Sequence, residues 1–225
     1  MMLTSKKKLK LAIFDVNQTI FNLNEVKKRF KEKKINPLLV DQWFINTLKE
    51  GFASSTPEKF LSFSKIAKEE LKKLIIYKKK NPQILKFLFD GFKNLKANHD
   101  IKDSFKILKK HNIKIATLTN GPKKNSINLL KKNKLIELVN YQFSIEDIKI
   151  WKPNPEPYLF VSDKLNYNPN EIIMVAAHGW DINGAKNVGM KTGYIRSYEK
   201  KLSSYYDKAD FAAENCKELI LKIIS

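Results

Sequence analysis

One cysteine, Cys216, stands in 225 residues. No internal disulfide can form, which fits a reducing cytoplasm. Arginine is almost as scarce. Lys and Arg together number 43, and only Arg29 and Arg196 are arginines, which leaves 41 lysines behind a net charge of +20. Arginine is the residue preferred for bidentate phosphate and base contacts, and no basic stripe interleaved with aromatics stands out. Nucleic acid is therefore not expected as a partner, although such a charge can steer a small anion into a cleft. The lysine excess runs through the whole chain beside Asn and Ile, as a compositional bias does. No apolar run approaches the ~20 residues of a spanning helix, so no membrane is expected. The start, MMLTSKKKLKLAIFD, meets Asp15 after a few apolar residues and reads neither as signal peptide nor as anchor. Repeats, low-complexity tracts and Gly/Ser linkers are also lacking. With 43% hydrophobic residues the chain can bury a substantial core, as one large domain or a core with a smaller companion.

Residues 22 to about 95 lack strand alternation. NEVKKRFKEKK, PLLVDQWFINTLKEG, PEKFLSFSKIAKEELKKL and PQILKFLFDGF read as helices. Phe60, Phe63, Ile66 and Ala67 fall at the three- and four-residue spacing of an amphipathic helix. Around this insert the rhythm is strand and helix in alternation. Strands are expected at 9–15, 113–119, 140–144, 171–177 and KTGYIRS. Helices are expected at IKDSFKILKKHN, NSINLLKKN, PEPYLFVSDKL, DINGAKNVG and AENCKELILKII. That alternation gives an α/β fold with a doubly wound parallel sheet. Its ligands bind beyond the carboxyl ends of the strands, near the topological switch point. The expected division is a core of residues 1–20 and 96–225 with an all-helical cap, 21–95, inserted after the first strand. His99 and His111 read as surface helix residues.

Polar residues gather at those strand ends: Asp15, Asn17 and Thr19 in AIFDVNQTIF, then Thr119-Asn120-Gly121, then Lys152 in IKIWKPNPEPY, then His178, Trp180 and Asp181 in MVAAHGWDINGA. In a parallel sheet they can converge on one edge. An unpaired aspartate after a buried strand is costly without a purpose, and a nearby ammonium would keep Asp15 ionised as a nucleophile. Thr119 can donate its hydroxyl to a substrate carboxylate, and the Asn120 N–H, close to a helix start, suits an anion. Asp181 can hold Lys152 or orient water. Each has a plainer role open to it. Asp181 can be a helix N-cap, Thr119-Asn120-Gly121-Pro122 an ordinary turn, Lys152 one lysine of many, and Trp180 and Tyr158 core or pocket wall. His178 can be a satisfied structural histidine or touch a hydrolytic water.

The order Asp, Thr-Asn-Gly, Lys-Pro, Asp resembles the haloacid dehalogenase superfamily. FDVNQTIFNL, LTNGP, KPNPEPY and VAAHGWDINGAKNVG are similar to its type II 2-haloacid dehalogenase group, from residue 11 to the C-terminus and most loosely in the helical segment. The resemblance implies a Rossmann-like core, a helical cap and catalysis by Asp15, Thr119, Lys152 and Asp181. It puts Val16, Asn17, Phe44, Asn120, Tyr158, His178 and Trp180 around a small anionic 2-haloacid, with no cofactor or metal, and it leaves a homodimer open.

Magnesium-dependent phosphatases of the same superfamily are the chief alternative. They usually carry an acidic residue two positions after the nucleophile, which protonates the leaving alkoxide. Here that position is Asn17. They usually carry a metal-binding aspartate where this chain has Ala177. Displacement of halide, the anion of a strong acid, needs neither. The expected reaction is therefore attack of Asp15 on the halogen-bearing carbon, then hydrolysis of the aspartyl ester to a 2-hydroxy acid. A cap arginine that holds halide in relatives is Phe44 here, a weaker halide partner, and Ala176 and His178 replace serine and asparagine of some relatives. A non-catalytic protein binding anions or nucleic acid is the third alternative.

Overall fold

Strand β1, Leu11–Phe14, is four apolar residues with no exposed surface. A run buried on both faces belongs in the middle of a parallel sheet, and there it lies. In the computed structural model, which describes residues 9–54 and 57–225, β1 pairs in parallel with β4 (Lys114–Thr119) and β6 (Ile172–Ala176). Outside β4 lies β5 (Tyr141–Ser144). Outside β6 lie β7 (Lys191–Ile195) and then β8 (Phe211–Ala213). All neighbours are parallel. The chain builds outward from β1 through β4 to β5, then returns to the other side at β6, so the switch point falls at the carboxyl end of β1.

Alternate residues of β1 face opposite ways. Ala12 and Phe14 pack with α5 (Ile101–Lys110), α6 (Lys123–Lys132) and α9 (Cys216–Ile224), through Phe105, Leu129 and Leu219. Leu11 and Ile13 pack with α7 (Pro155–Leu165) and α8 (Gly179–Asn187), through Val161 and Ile182. The sheet is thus wound on both faces, as the sequence rhythm requires.

The insert holds α1 (Asn24–Glu32), α2 (Leu39–Ala53), α3 (Phe63–Tyr77) and α4 (Leu85–Phe89). Its apolar stripes join the Ala12/Phe14 core. Trp43 donates its indole N–H to the Ala67 carbonyl at 2.8 Å, tying α2 to α3. Trp151, from the loop after β5, donates to Leu61 O at 2.9 Å, and Gly51 of α2 lies against its ring. A Cβ on Gly51 would stand 2.5 Å from ring carbons of Trp151. Gly51→Ala is therefore expected to cost about 1–3 kcal/mol of stability, read from a denaturant midpoint.

Several expectations need correction. The insert is not wholly helical at its margins: β2 (Phe21–Asn22) pairs antiparallel with β3 (Lys96–Ala97). Two residues per strand carry no readable alternation. Strand β8 was not anticipated either; it is three residues long, and the closing helix that was expected to start at Ala213 starts at Cys216. Asn215 caps that helix, accepting from Glu218 N at 2.9 Å. Helix α3 begins at Phe63, after its Ser62 cap, leaving Phe60 outside it. His99 and His111 are exposed, but they occupy turns flanking α5 rather than helix. Residues 1–8 of the expected core, with most of the start's lysines, lie outside the described residues, as do 55 and 56 of the expected cap.

Candidate active site

Asp15 is the first residue past β1, and its backbone N–H still donates to Val175 O of β6 at 3.0 Å. Thr119 ends β4, Lys152 lies in the loop after β5, His178 is the N-cap of α8, and Asp181 stands in its first turn. Three separate strand ends therefore meet the fourth. Lys152 Nζ donates to Asp15 Oδ1 at 3.1 Å and to Asp181 Oδ2 at 2.6 Å. Lys152 and Asp181 are fully buried, and Asp15 is 5% exposed. Asn120 fixes the lysine's backbone by a double clasp. Its Oδ1 accepts from Lys152 N at 3.0 Å, and its Nδ2 donates to Lys152 O at 3.3 Å.

Two carboxylates share one ammonium. Burial alone would raise the Asp15 pKa, but the charge of Lys152 and contacts from His178 and Thr19 hold it well below the usual carboxylate range. Burial would pull Lys152 down, and the charges of Asp15 and Asp181 instead raise it. Burial raises Asp181, and repulsion from Asp15 adds to that against the pull of Lys152. Of the two, Asp15 is the carboxylate whose ionised form the site favours more, as a nucleophile requires.

A small cavity, about 10 Å³, lies over Asp15. Asn17, Phe44, Leu48, Phe63, Thr119, Asn120, His178 and Trp180 complete its lining. It is on the scale of one water molecule. A larger cleft of about 500 Å³ shares Asn17, Phe63 and Thr119 with it and runs out between Phe89, Phe92 and helix α6. Val16 belongs to that cleft rather than to the small cavity. Thr119 Oγ accepts from Gly121 N at 2.9 Å, which leaves its hydroxyl proton to donate toward the cavity. Trp180 presents its ring 5.5 Å from Lys152 Nζ, a cation–π contact.

Two expected roles change. Tyr158 is not a wall of the cavity. It is fully buried behind Asp181 and donates its hydroxyl to Asp181 Oδ1 at 2.6 Å, while burial and the Asp181 charge push its phenol well up. Asp181 is not the N-cap of its helix, and it does hold Lys152. His178 occupies the N-cap position of α8, and both Asp181 oxygens are taken by Lys152 and Tyr158.

Two contacts were missed from sequence. Thr19 donates its hydroxyl to Asp15 Oδ2 at 2.8 Å and accepts from Ala177 N at 3.0 Å, so it orients the carboxylate and ties β1 to β6. Its spacing, four residues after Asp15, was the available signal. Gln18, with φ of 66°, turns its side chain to His178 Nε2 at 2.9 Å; nothing in the sequence marked it.

Among the described residues, no group of three or more His, Cys, Asp or Glu is placed to hold a metal ion, and no helix is long and apolar enough to cross a membrane. A family model described as haloacid dehalogenase-like hydrolase matches residues 12–195. An (S)-2-haloacid dehalogenase 4A of Burkholderia cepacia is 35% identical over 105 residues, 47% of this chain and 46% of that protein. The match thus spans about half the relative's length. Pyrophosphatase PpaX of Bacillus cereus (strain Q1) is 26% identical over 95% of both chains. The L-2-haloacid dehalogenase of Xanthobacter autotrophicus, solved with chloropropionic acid covalently bound, superposes with a TM-score of 0.86. It is 18% identical, over 96% of this chain and 99% of that one, a likeness of fold.

Proposed function

The chain belongs to the haloacid dehalogenase-like hydrolases, and on that footing we propose that it hydrolyses the carbon–halogen bond of small 2-haloalkanoic acids through an ester on Asp15. The reading rests on one observation: a buried, ionised Asp15 is paired with Lys152, while Asn17 and Ala177 stand where a phosphatase needs an acid and a metal ligand. Asp15 Oδ2 attacks the halogen-bearing carbon in line, and halide leaves without a proton. The substrate carboxylate meets the Thr119 hydroxyl and the amides at the head of α6. Water then opens the ester at the Asp15 carboxyl carbon and releases a 2-hydroxy acid. Phe44, Trp180 and Asn120 surround the departing halide, and Asn17 and Val16 line the path toward the cleft. On this reading residues 21–95 act as a cap on a core of 1–20 and 96–225, joined at the β2–β3 ribbon.

A divalent cation does not suit the donor set. Asp181 has both oxygens committed, Ala177 offers none, and Asp15 alone falls short of the oxygen ligands magnesium asks for. Halide release from chloroacetate, bromoacetate, fluoroacetate or either 2-chloropropionate enantiomer is accordingly expected to persist in EDTA. Silence on all of them would end the proposal. The halide-releasing step is also expected to stay flat from neutrality down through about pH 4, the ordinary carboxylate range, because Asp15 is held below it. A drop in the first-turnover halide burst near that pH would show an unperturbed nucleophile.

A phosphatase is the second reading, favoured by the full-length match to a pyrophosphatase. Magnesium-dependent hydrolysis of p-nitrophenyl phosphate or pyrophosphate, lost in Asp15→Asn, would establish it in place of the first.

A further inference from the structure

The cleft outside the small cavity is larger than a two- or three-carbon acid needs. It measures about 500 Å³, within the range of pockets that bury a whole small molecule, whereas the cavity over Asp15 measures about 10 Å³. One wall is aromatic and comes from the insert. The Phe63 and Phe92 rings meet edge to face at 5.5 Å, and Phe89 lies 5.8 Å from Phe92. The other wall is one face of α6. Asn128, Lys131 and Lys132 follow Lys124 by four, seven and eight residues, the spacing of a single helical face. Hydrogen bonds join the two walls. Near the head of α6, Asn125 Nδ2 donates to Phe92 O at 3.2 Å. At its tail, Lys132 Nζ donates to Lys93 O at 2.8 Å and to Asn94 Oδ1 at 2.9 Å.

Four lysines line this cleft, and no aspartate or glutamate does. The excess of lysine along the chain accounts for the ammonium groups, but not for the lack of carboxylates beside them. Lys93 is neutralised by Asp90 at 2.6 Å. Lys132 gives its hydrogens to uncharged oxygens, and Lys124 and Lys131 pair with no carboxylate among the described residues. The α6 wall is therefore positive and the facing wall apolar. Ser126 lines the cleft as well. It is 3% exposed, and its hydroxyl finds no partner among the described residues, an uncommon state for a buried donor.

We propose that the preferred substrate is a 2-haloacid whose carbon chain ends in a second carboxylate, and that this cleft is the subsite for that chain; the inference rests on the dehalogenase reading of the preceding subsection. The halogen-bearing end enters past Asn17, Phe63 and Thr119, which the cleft shares with the cavity over Asp15. The methylenes lie against Phe63, Phe89 and Phe92 and leave water there. The distal carboxylate meets the ammonium groups of Lys124, Lys131 and Lys132. Lys124 and Lys131 are about 10 Å apart along the axis of α6, at 1.5 Å per residue, a span that a two- or three-carbon acid leaves unused. The contact with the distal carboxylate is the same before and during attack on carbon, so it strengthens binding and leaves the chemical step alone.

Bromide release by the purified protein is to be compared for 2-bromopropionate, 2-bromooctanoate and the matching diacid, 2-bromooctanedioate. The diacid is expected to exceed the monoacid of equal length by about tenfold in kcat/KM, the scale of two modest ion pairs, with the gain in KM rather than kcat. In sodium sulfate at about 1 M ionic strength, where the screening length is ~3 Å, the gain should shrink. Lys124→Gln combined with Lys131→Gln should bring the ratio of diacid to monoacid down toward unity. Lys102→Gln combined with Lys110→Gln removes the same charge from exposed positions on α5 and should leave the ratio as it was. A wild-type ratio near unity would overturn the proposal. So would an equal fall of the ratio in the α5 variant, which would assign the effect to net charge. Bromide from 2-bromopropionate with neither longer acid turned over would overturn the subsite and leave the dehalogenase reading standing. No bromide from any of the three would overturn that reading, and the subsite with it.

Discussion

Asp15→Asn is expected to abolish halide release, with a loss of about 10⁴-fold or more, the scale on which enzymes lose rate when a nucleophile is removed. Asparagine has nearly the same shape, and the Thr19 hydroxyl can still donate to its side-chain oxygen. On the proposed mechanism, what disappears is the anion that attacks carbon. The same substitution should not harm the fold. In the native protein one ammonium serves two buried carboxylates, and repulsion from Asp15 helps raise Asp181. Neutralising Asp15 leaves Lys152 and Asp181 as a pair but forfeits the stability of the depressed Asp15 and turns the new amide NH2 toward the ammonium, so the melting temperature should fall by a few degrees while the chain stays folded. Halide assays and thermal melts on one preparation check both halves. A variant that is inactive because it is unfolded would contradict the second half.

Lys152→Met is expected to remove activity and stability together. The side chain is fully buried, so methionine can occupy much of its volume but brings no charge. Asp15 and Asp181 are then left facing each other without a cation. Breaking a buried pair from one side costs about 3–5 kcal/mol, or roughly 10 °C in a chain of this size. The pH dependence follows from the directions of the shifts. In the wild type Asp15 is depressed by Lys152, so its contribution is present above the ordinary carboxylate range and is lost as pH falls through its folded value. Without Lys152 both carboxylates should be raised by burial and mutual repulsion, and a raised group makes the native state gain stability as pH falls. The deficit should therefore be largest at neutrality and narrow on acidification. A deficit that stayed constant would mean the lysine acts by packing alone.

The α/β class and the doubly wound parallel sheet were legible because burial leaves a mark along each element. LAIF and IIMVA are apolar without alternation, and a chain buried on both faces has no other reason to be so. The family too was legible, because Asp15, Thr119, Lys152 and Asp181 each sit at a fixed offset from such a run. Chain connectivity alone then sends those ends to one edge. The short pieces were not legible. Strands β2, β3 and β8 have two or three residues, fewer than a period can register.

Only the tertiary structure decided which atoms of the site face which. Tyr158 reads the same in sequence whether it lines a pocket or stands behind Asp181. Its place was settled by α8 packing against α7, where a Cβ on Gly184 would stand 2.7 Å from the Tyr158 hydroxyl. Thr19 and Gln18 owe their partners to the pairing of β1 with β6, which brings Ala177 and His178 alongside them. Periodicity reports how deeply a residue is buried along its own element. Which oxygen meets which nitrogen depends on register between elements distant in the chain, and no local pattern carries that.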